Sequence, residues 1–222
     1  MSDDGEPQNP NPMAVTGNIA INVSDALRVN ARAEVKIMIH GFDRVFLTEA
    51  RRAAERATAG LAQDDGETVA GAAATAVLLS AAACEARLSE YVTEHEGAIG
   101  APTVKQIRRP SRDRGNAVKQ WRLLFANRAR TFKCEDSREF RALGCLFELR
   151  DLVAHRHARY YKPGEWPDKL KACIEKQAIP VIRAADIDWT SGTYVVSVAV
   201  WAHQTAAEWL ATADGLGIAG RQ

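Results

Sequence analysis

Residues 67–95, "ETVAGAAATAVLLSAAACEARLSEYVTEH", decide the fold. No proline interrupts them. The larger apolar side chains Val69, Val77, Leu78, Cys84, Leu88, Tyr91 and Val92 recur at helical spacing. A period near 3.6 held over this length predicts one long helix; a strand would be shorter and would alternate. The many alanines, with Ser80 among them, carry little bulk, so neighbouring helices are expected to approach closely.

Working outward, "QDDGE" before this helix is a polar turn, and "VFLTEARRAAERATAGL" (45–61) is Ala- and Arg-rich without a breaker, a helix ending near Gly60. From Ile19 to Ile39 the odd positions are apolar and the even positions largely polar, broken at "SDA". Period-two alternation predicts a β-hairpin or ribbon, with helix as the competing reading. Residues 1–17 hold too few apolar groups to offset ordering entropy and are expected to form a disordered tail. Downstream, "GAIGAPTVKQIRRPSRDRGN" (97–116) reads as a loop with two prolines, and "AVKQWRLLFANRA" as a short helix. "EDSREFRALGCLFELRDLVAHRH" (135–157) reads as a helix capped by Asp136 or Ser137, with Glu139 in its first turn. After the break "ARYYKPGEWPDK" come a short helix, "KLKACIEKQ", and "SGTYVVSVAVWAHQTAAEWLATAD" (191–214). The last is a strand then a helix, or one helix; Val195, Val198, Trp201, Ala202, Thr205, Trp209 and Thr212 favour mostly helix. The expected fold is mainly α, a bundle of about four main helices with a small N-terminal β element. The divisions are a tail (1–17), an extension of ribbon plus helix (18–60), a helical domain (61–213) and a second tail (214–222).

Bulk composition narrows the function classes. The 222 residues, 46% hydrophobic and 26% charged, suit one sizeable soluble core. No apolar run is read as approaching the roughly 20 residues that cross a bilayer. The opening "MSDDGEPQNPNP" is acidic and proline-rich, unlike a signal peptide, so a cytoplasmic protein without membrane contact is expected. Cys84, Cys134, Cys145 and Cys173 are far apart, and the five histidines lack metal-helix spacing, so free thiols and no metal are expected.

The net charge of +1 conceals an uneven distribution. Between Lys105 and Lys133 ten basic residues face one acid, Asp113, so this stretch carries +9 and the rest of the chain −8. Lys105, Arg108, Arg109, Arg112, Arg114, Lys119 and Arg122, with Trp121 and Phe125 interleaved, form a candidate polyanion contact acting through counterion release. The competing reading is neutralisation by acids such as Glu94, Glu96 and Glu139.

"ELRDLVAHRH" (148–157) holds the sharpest anomaly. The apolar stripe Leu143, Leu146, Phe147, Val153 and Ala154 includes Arg150 where a leucine would fit. A guanidinium there must find a partner or line a cleft, because burying it unpaired is costly. Asp151 lies one turn before His155 and could fix its tautomer. On a straight helix Arg150 and His155 stand about 140° apart. They converge only if the helix unwinds near Ala154 or a second copy completes the site. The alternative is that His155, Arg156 and His157 simply complement the helix dipole.

"ELRDLVAH" resembles the signature of HEPN domains, helical modules of prokaryotic toxins, abortive-infection proteins and eukaryotic RNases: an arginine, a polar residue and, a few positions on, a histidine. Arg150, Asp151 and His155 match it residue by residue, with Asp where Asn is most typical. "LLSAAACEARLSEYV" is similar to the first core helix of that family, in which an acid at the position of Glu85 is common; the resemblance spans about residues 65–213. It implies a metal-independent endoribonuclease without cofactor, working as a homodimer with two motifs facing one cleft. The setting would be toxin–antitoxin or phage defence, with an antitoxin or defence protein as partner. Arg150 would hold the scissile phosphate of RNA, His155 would move the proton, Asp151 would orient the imidazole and Glu85 would support them. The resemblance equally permits an inactive RNA- or nucleotide-binding or adaptor module. A third reading is a structural helical dimer in which Arg150 pairs with Glu85 or Glu148.

Overall fold

The structure is a computed structural model that describes residues 41–108, 116–128, 134–154, 164–177, 179–183 and 186–215. The ribbon expected over 19–39, the first tail and residues 216–222 of the second lie outside the described residues, whereas Asp214 and Gly215, expected in that second tail, are helical. The fold is mainly α, and among the described residues there is no strand. The helices are α1 (Phe42–Ala62), α2 (Gly66–Glu94), α3 (Glu96–Ile99), α4 (Ala101–Arg108), α5 (Asn116–Arg128), α6 (Arg138–Ala154), α7 (Asp168–Gln177), α8 (Trp189–Thr193) and α9 (Val196–Gly215). A 3-10 turn, Cys134–Asp136, precedes α6.

The deciding stretch forms a single helix, α2, against which α1, α6 and α9 pack. Ala53, Ala54 and Ala57 of α1, Ala72, Ala73 and Ala76 of α2 and Ala199 of α9 make one buried seam. Side chains this small let backbones approach closely, and the resulting density supplies many dispersion contacts. The larger core takes in the later part of α2, from Val77 to Val92, and includes Trp209. The Trp209 ring stands edge-on to Trp121 at 5.3 Å and packs on Phe125 at 5.1 Å and Phe140 at 5.5 Å. Trp121 and Phe125, interleaved with basic residues in the sequence, are therefore fully buried core residues of α5.

Several expectations need correction. α1, placed in the extension by the sequence, packs along α2 and α9. The loop expected from Gly97 holds two short helices, α3 and α4. Pro102 lies in the first turn of α4, where its missing N–H costs nothing. The C-terminal stretch is helical but broken at Tyr194–Val195 between α8 and α9. Finally, α2 is long and apolar enough by length and composition to cross a membrane, with mean hydropathy 1.6 over its most apolar window; half of that window is buried against other helices.

Charged groups on α2 lock its C-terminal half. Gly41, at φ 107, precedes α1 and has no side chain with which to cap it. Glu90 substitutes from α2: its Oε1 accepts from the N–H groups of Gly41 at 2.9 Å and Phe42 at 3.1 Å. Buried Arg87 joins all three helices, donating to Asp214 of α9 at 2.8 Å and lying 3.7 Å from Asp43 of α1. At α8, Asp188 accepts from the hydroxyls of Thr190 and Ser191 and from both backbone N–H groups. Those bonds, the Thr190 hydroxyl foremost, hold its carboxyl down at about 2.

Two predictions follow from this packing and capping. Gly71, on α2, has open space where a Cβ would stand, so Gly71→Ala should stabilise by about 0.5–1 kcal/mol. Ala73, two positions on, is fully buried, so Ala73→Leu should cost about 1–3 kcal/mol; urea unfolding of both variants checks the contrast. The folded pKa of Asp188 lies below its ordinary 3.8, so its stabilisation is complete above that pH and is lost as pH falls towards 2. Asp188→Ala should cost about 1 kcal/mol near neutrality and flatten that acid limb in a pH series of unfolding midpoints.

Candidate functional site

α6 starts where Ser137 Oγ accepts from the Phe140 N–H at 2.9 Å, with Glu139 in its first turn. Of the expected stripe Leu143, Leu146 and Phe147 are buried, together with Phe140 and Leu149, whereas Val153 is half-buried and Ala154 exposed. Arg150 continues that face one turn beyond Phe147 and reaches the rim of the bundle, its side chain 24% exposed. There the guanidinium meets three groups. Nη1 donates to Asp151 Oδ1 at 2.9 Å, Nη2 donates to Glu85 Oε1 of α2, and the Phe147 ring centroid lies 5.3 Å from Cζ. The cation intruding on apolar packing is thus met by an anion from the neighbouring helix, an anion on its own helix and an aromatic face.

The cluster carries a net charge of −1 when both carboxylates are ionised. Glu85 itself is 45% exposed. Partial burial pushes its carboxyl up from the ordinary 4.5, Arg150 opposes that shift, and Asp151 adds to it by like-charge repulsion. Burial pushes the neighbouring Cys84 thiol far up, so it stays protonated and is a packing residue rather than a nucleophile. The guanidinium has five N–H donors and spends two on carboxylates, leaving donors for an incoming anion.

Other residues singled out in the sequence are placed as follows. His155 lies outside the described residues, the last of which on α6 is Ala154. Asp151, expected to hold His155, has one carboxylate oxygen engaged by Arg150, the full cation beside it. Glu148, the alternative partner for Arg150, pairs with Lys169 of α7 at 3.2 Å. Lys105 and Arg108 lie one turn apart on α4, and Lys119 and Arg122 one turn apart on α5. The two helices are tied by Gln120 Nε2 donating to Ile107 O at 2.6 Å. Arg109, Arg112 and Arg114 lie outside the described residues. Part of the basic charge is neutralised as the competing reading holds: Arg108 pairs with Glu96 at 3.1 Å. The Arg122 guanidinium stands 6.0 Å over Phe140, at the opposite end of α6 from Arg150. Ten residues of helix separate Phe140 and Arg150, about 15 Å along the axis. Among the described residues no three His, Cys, Asp or Glu side chains gather as a metal set. No family model, curated protein or solved structure matches the chain.

Glu85 gives this site a pH signature. Its folded pKa is raised, so the folded state holds the proton more tightly than the unfolded chain. Its favourable contribution is complete below pH 4.5 and is lost as pH rises above that value. Unfolding free energy measured against pH should fall across this window in the wild type, and the fall should be smaller in Glu85→Gln.

Proposed function

We propose that the protein is a metal-independent endoribonuclease of HEPN type, acting on RNA as a homodimer in the cytoplasm, in a toxin or phage-defence setting. The observation that carries this reading is Arg150: a guanidinium in a leucine position, held at the partly exposed rim of the bundle by Glu85 and Asp151 in the last turn of α6. A leucine would pack there without desolvating any charge, so a cation retained at this position points to a use beyond packing.

The chemistry assigns each residue a role. The ribose 2′-oxygen attacks the adjacent phosphorus as its proton passes to a base, and the P–O5′ bond breaks as the 5′-oxygen is protonated. The products are a 2′,3′-cyclic phosphate and a 5′-hydroxyl. His155, with an imidazole near neutrality in its ordinary range, serves as base or acid. Arg150 stabilises charge on the pentacoordinate phosphorus. Glu85 and Asp151 position the guanidinium. Lys105, Arg108, Arg109, Arg112, Arg114, Lys119 and Arg122 supply affinity for the RNA backbone.

A second reading, an inactive RNA-binding or adaptor module, is favoured by one observation: two carboxylates already engage Arg150. Cleavage of structured and single-stranded RNA in EDTA separates the two. Arg150→Ala and His155→Ala should each lower the rate at least about a hundredfold. Equal cleavage by all three proteins would discard the assignment. Salt-sensitive RNA binding without turnover in the wild type would leave the binding module.

A further inference from the structure

The arrangement around Arg150 raises a difficulty for any anionic ligand, and its resolution assigns Glu85 a role. A phosphodiester brought to Arg150 meets a cluster already carrying −1, with the Nη2 donor committed to Glu85. The two carboxylates are not equivalent. Asp151 is the next residue on the same helix, 19% exposed, and moves with Arg150. Glu85 reaches across from α2, is 45% exposed and has solvent on its outer side into which it can turn.

We propose that Glu85 is a proton-operated gate on Arg150: ionised, it holds the guanidinium and repels phosphate; protonated, it yields the Nη2 edge to a phosphodiester oxygen. The proposal rests on reading Arg150 as a phosphate-binding residue and adds its regulation. Among the described residues, the charged groups acting on Glu85 are Arg150 and Asp151 of α6. On its own helix Arg87 is committed to Asp43 and Asp214, Glu90 accepts from the start of α1, and Cys84 is neutral. Of the other charged side chains of α6 near this end, Glu148 is paired with Lys169 of α7. Partial burial and the neighbouring Asp151 raise the carboxyl of Glu85 while Arg150 opposes them, so its proton uptake is set by the same two groups of α6. Phosphodiester binding and proton uptake are then linked, and each promotes the other.

The test uses the full chain and, as probe, a deoxydinucleotide with a single phosphodiester. It lacks the attacking hydroxyl, and its phosphate charge is constant between about pH 5 and about pH 8. Binding is followed by the NMR shift of the Arg150 Nε–H group and by calorimetry in buffers of different ionisation heat, which counts protons. The wild type should bind about tenfold more weakly at the higher pH and take up a fraction of a proton on binding at intermediate pH, where Glu85 is ionised when free and protonated when bound. Glu85→Gln should bind at both pH values as tightly as the wild type does at the lower one, and Arg150→Ala should not bind. Wild type and Glu85→Gln binding alike at both pH values would overturn the gate, as would absence of binding to either. If Glu85→Gln fails to fold, proton uptake by the wild type decides: none on binding at any pH across this range overturns the proposal. RNA cleavage is scored separately. Arg150-dependent cleavage unaffected by Glu85→Gln removes the gate and keeps the nuclease. Glu85-linked binding without any cleavage keeps the gate and removes the nuclease.

Discussion

A cation set into the apolar face of one helix has to be answered by its neighbour, and here α2 supplies the answer. Glu85 meets Arg150 across the α2–α6 contact, Asp151 closes the other side, and the Phe147 ring lies close to the guanidinium. Because the group sits at the rim with Arg150 24% exposed, part of its hydration is kept, and the arrangement avoids the full cost of a sealed ion pair. An internal pair closed off from water would have marked Arg150 as purely structural. The observed rim position leaves it available to a ligand while fixing where it stands.

The same helix organises the rest of the bundle by two different means. Along its first half, alanines admit α1 and α9 at close range, and the seam depends on the absence of bulk. Along its second half, charged residues do the joining: Arg87 ties α1 to α9, and Glu90 caps α1 from a distance because Gly41 cannot cap it locally. Glu85, between these groups in sequence, turns outward to α6. One helix therefore sets both the core geometry and the electrostatics of the candidate site.

Much of this was legible in the residue order. The period of α2 and α6, the Ser137 cap, the bulky anchor Trp209 and the anomalous place of Arg150 are local patterns, and local patterns survive folding. What was not legible depends on partners distant in sequence or on exceptions to local rules. Pro102 and the glycines of 97–100 read as loop, although a proline in a first helical turn is compatible with helix. Trp121 and Phe125 stand among arginines in the sequence, yet helical rotation turns them inward to Trp209. Asp151 stands one turn from His155 in the sequence, yet the partner it shows in the structure is its chain neighbour Arg150. The capping role of Glu90 leaves no trace in sequence, since its partners are 48 and 49 residues away.

The dependence of the site on α2 is most directly measured by a double-mutant cycle of unfolding free energy between Glu85 and Arg150, using Glu85→Ala, Arg150→Ala and the pair. If α2 answers the cation as described, the two positions should be coupled by about 0.5–2 kcal/mol near neutral pH, with the coupling shrinking as Glu85 is protonated. Additivity to within about 0.3 kcal/mol at every pH would mean that Arg150 is held by other groups, and the account of the site would be wrong.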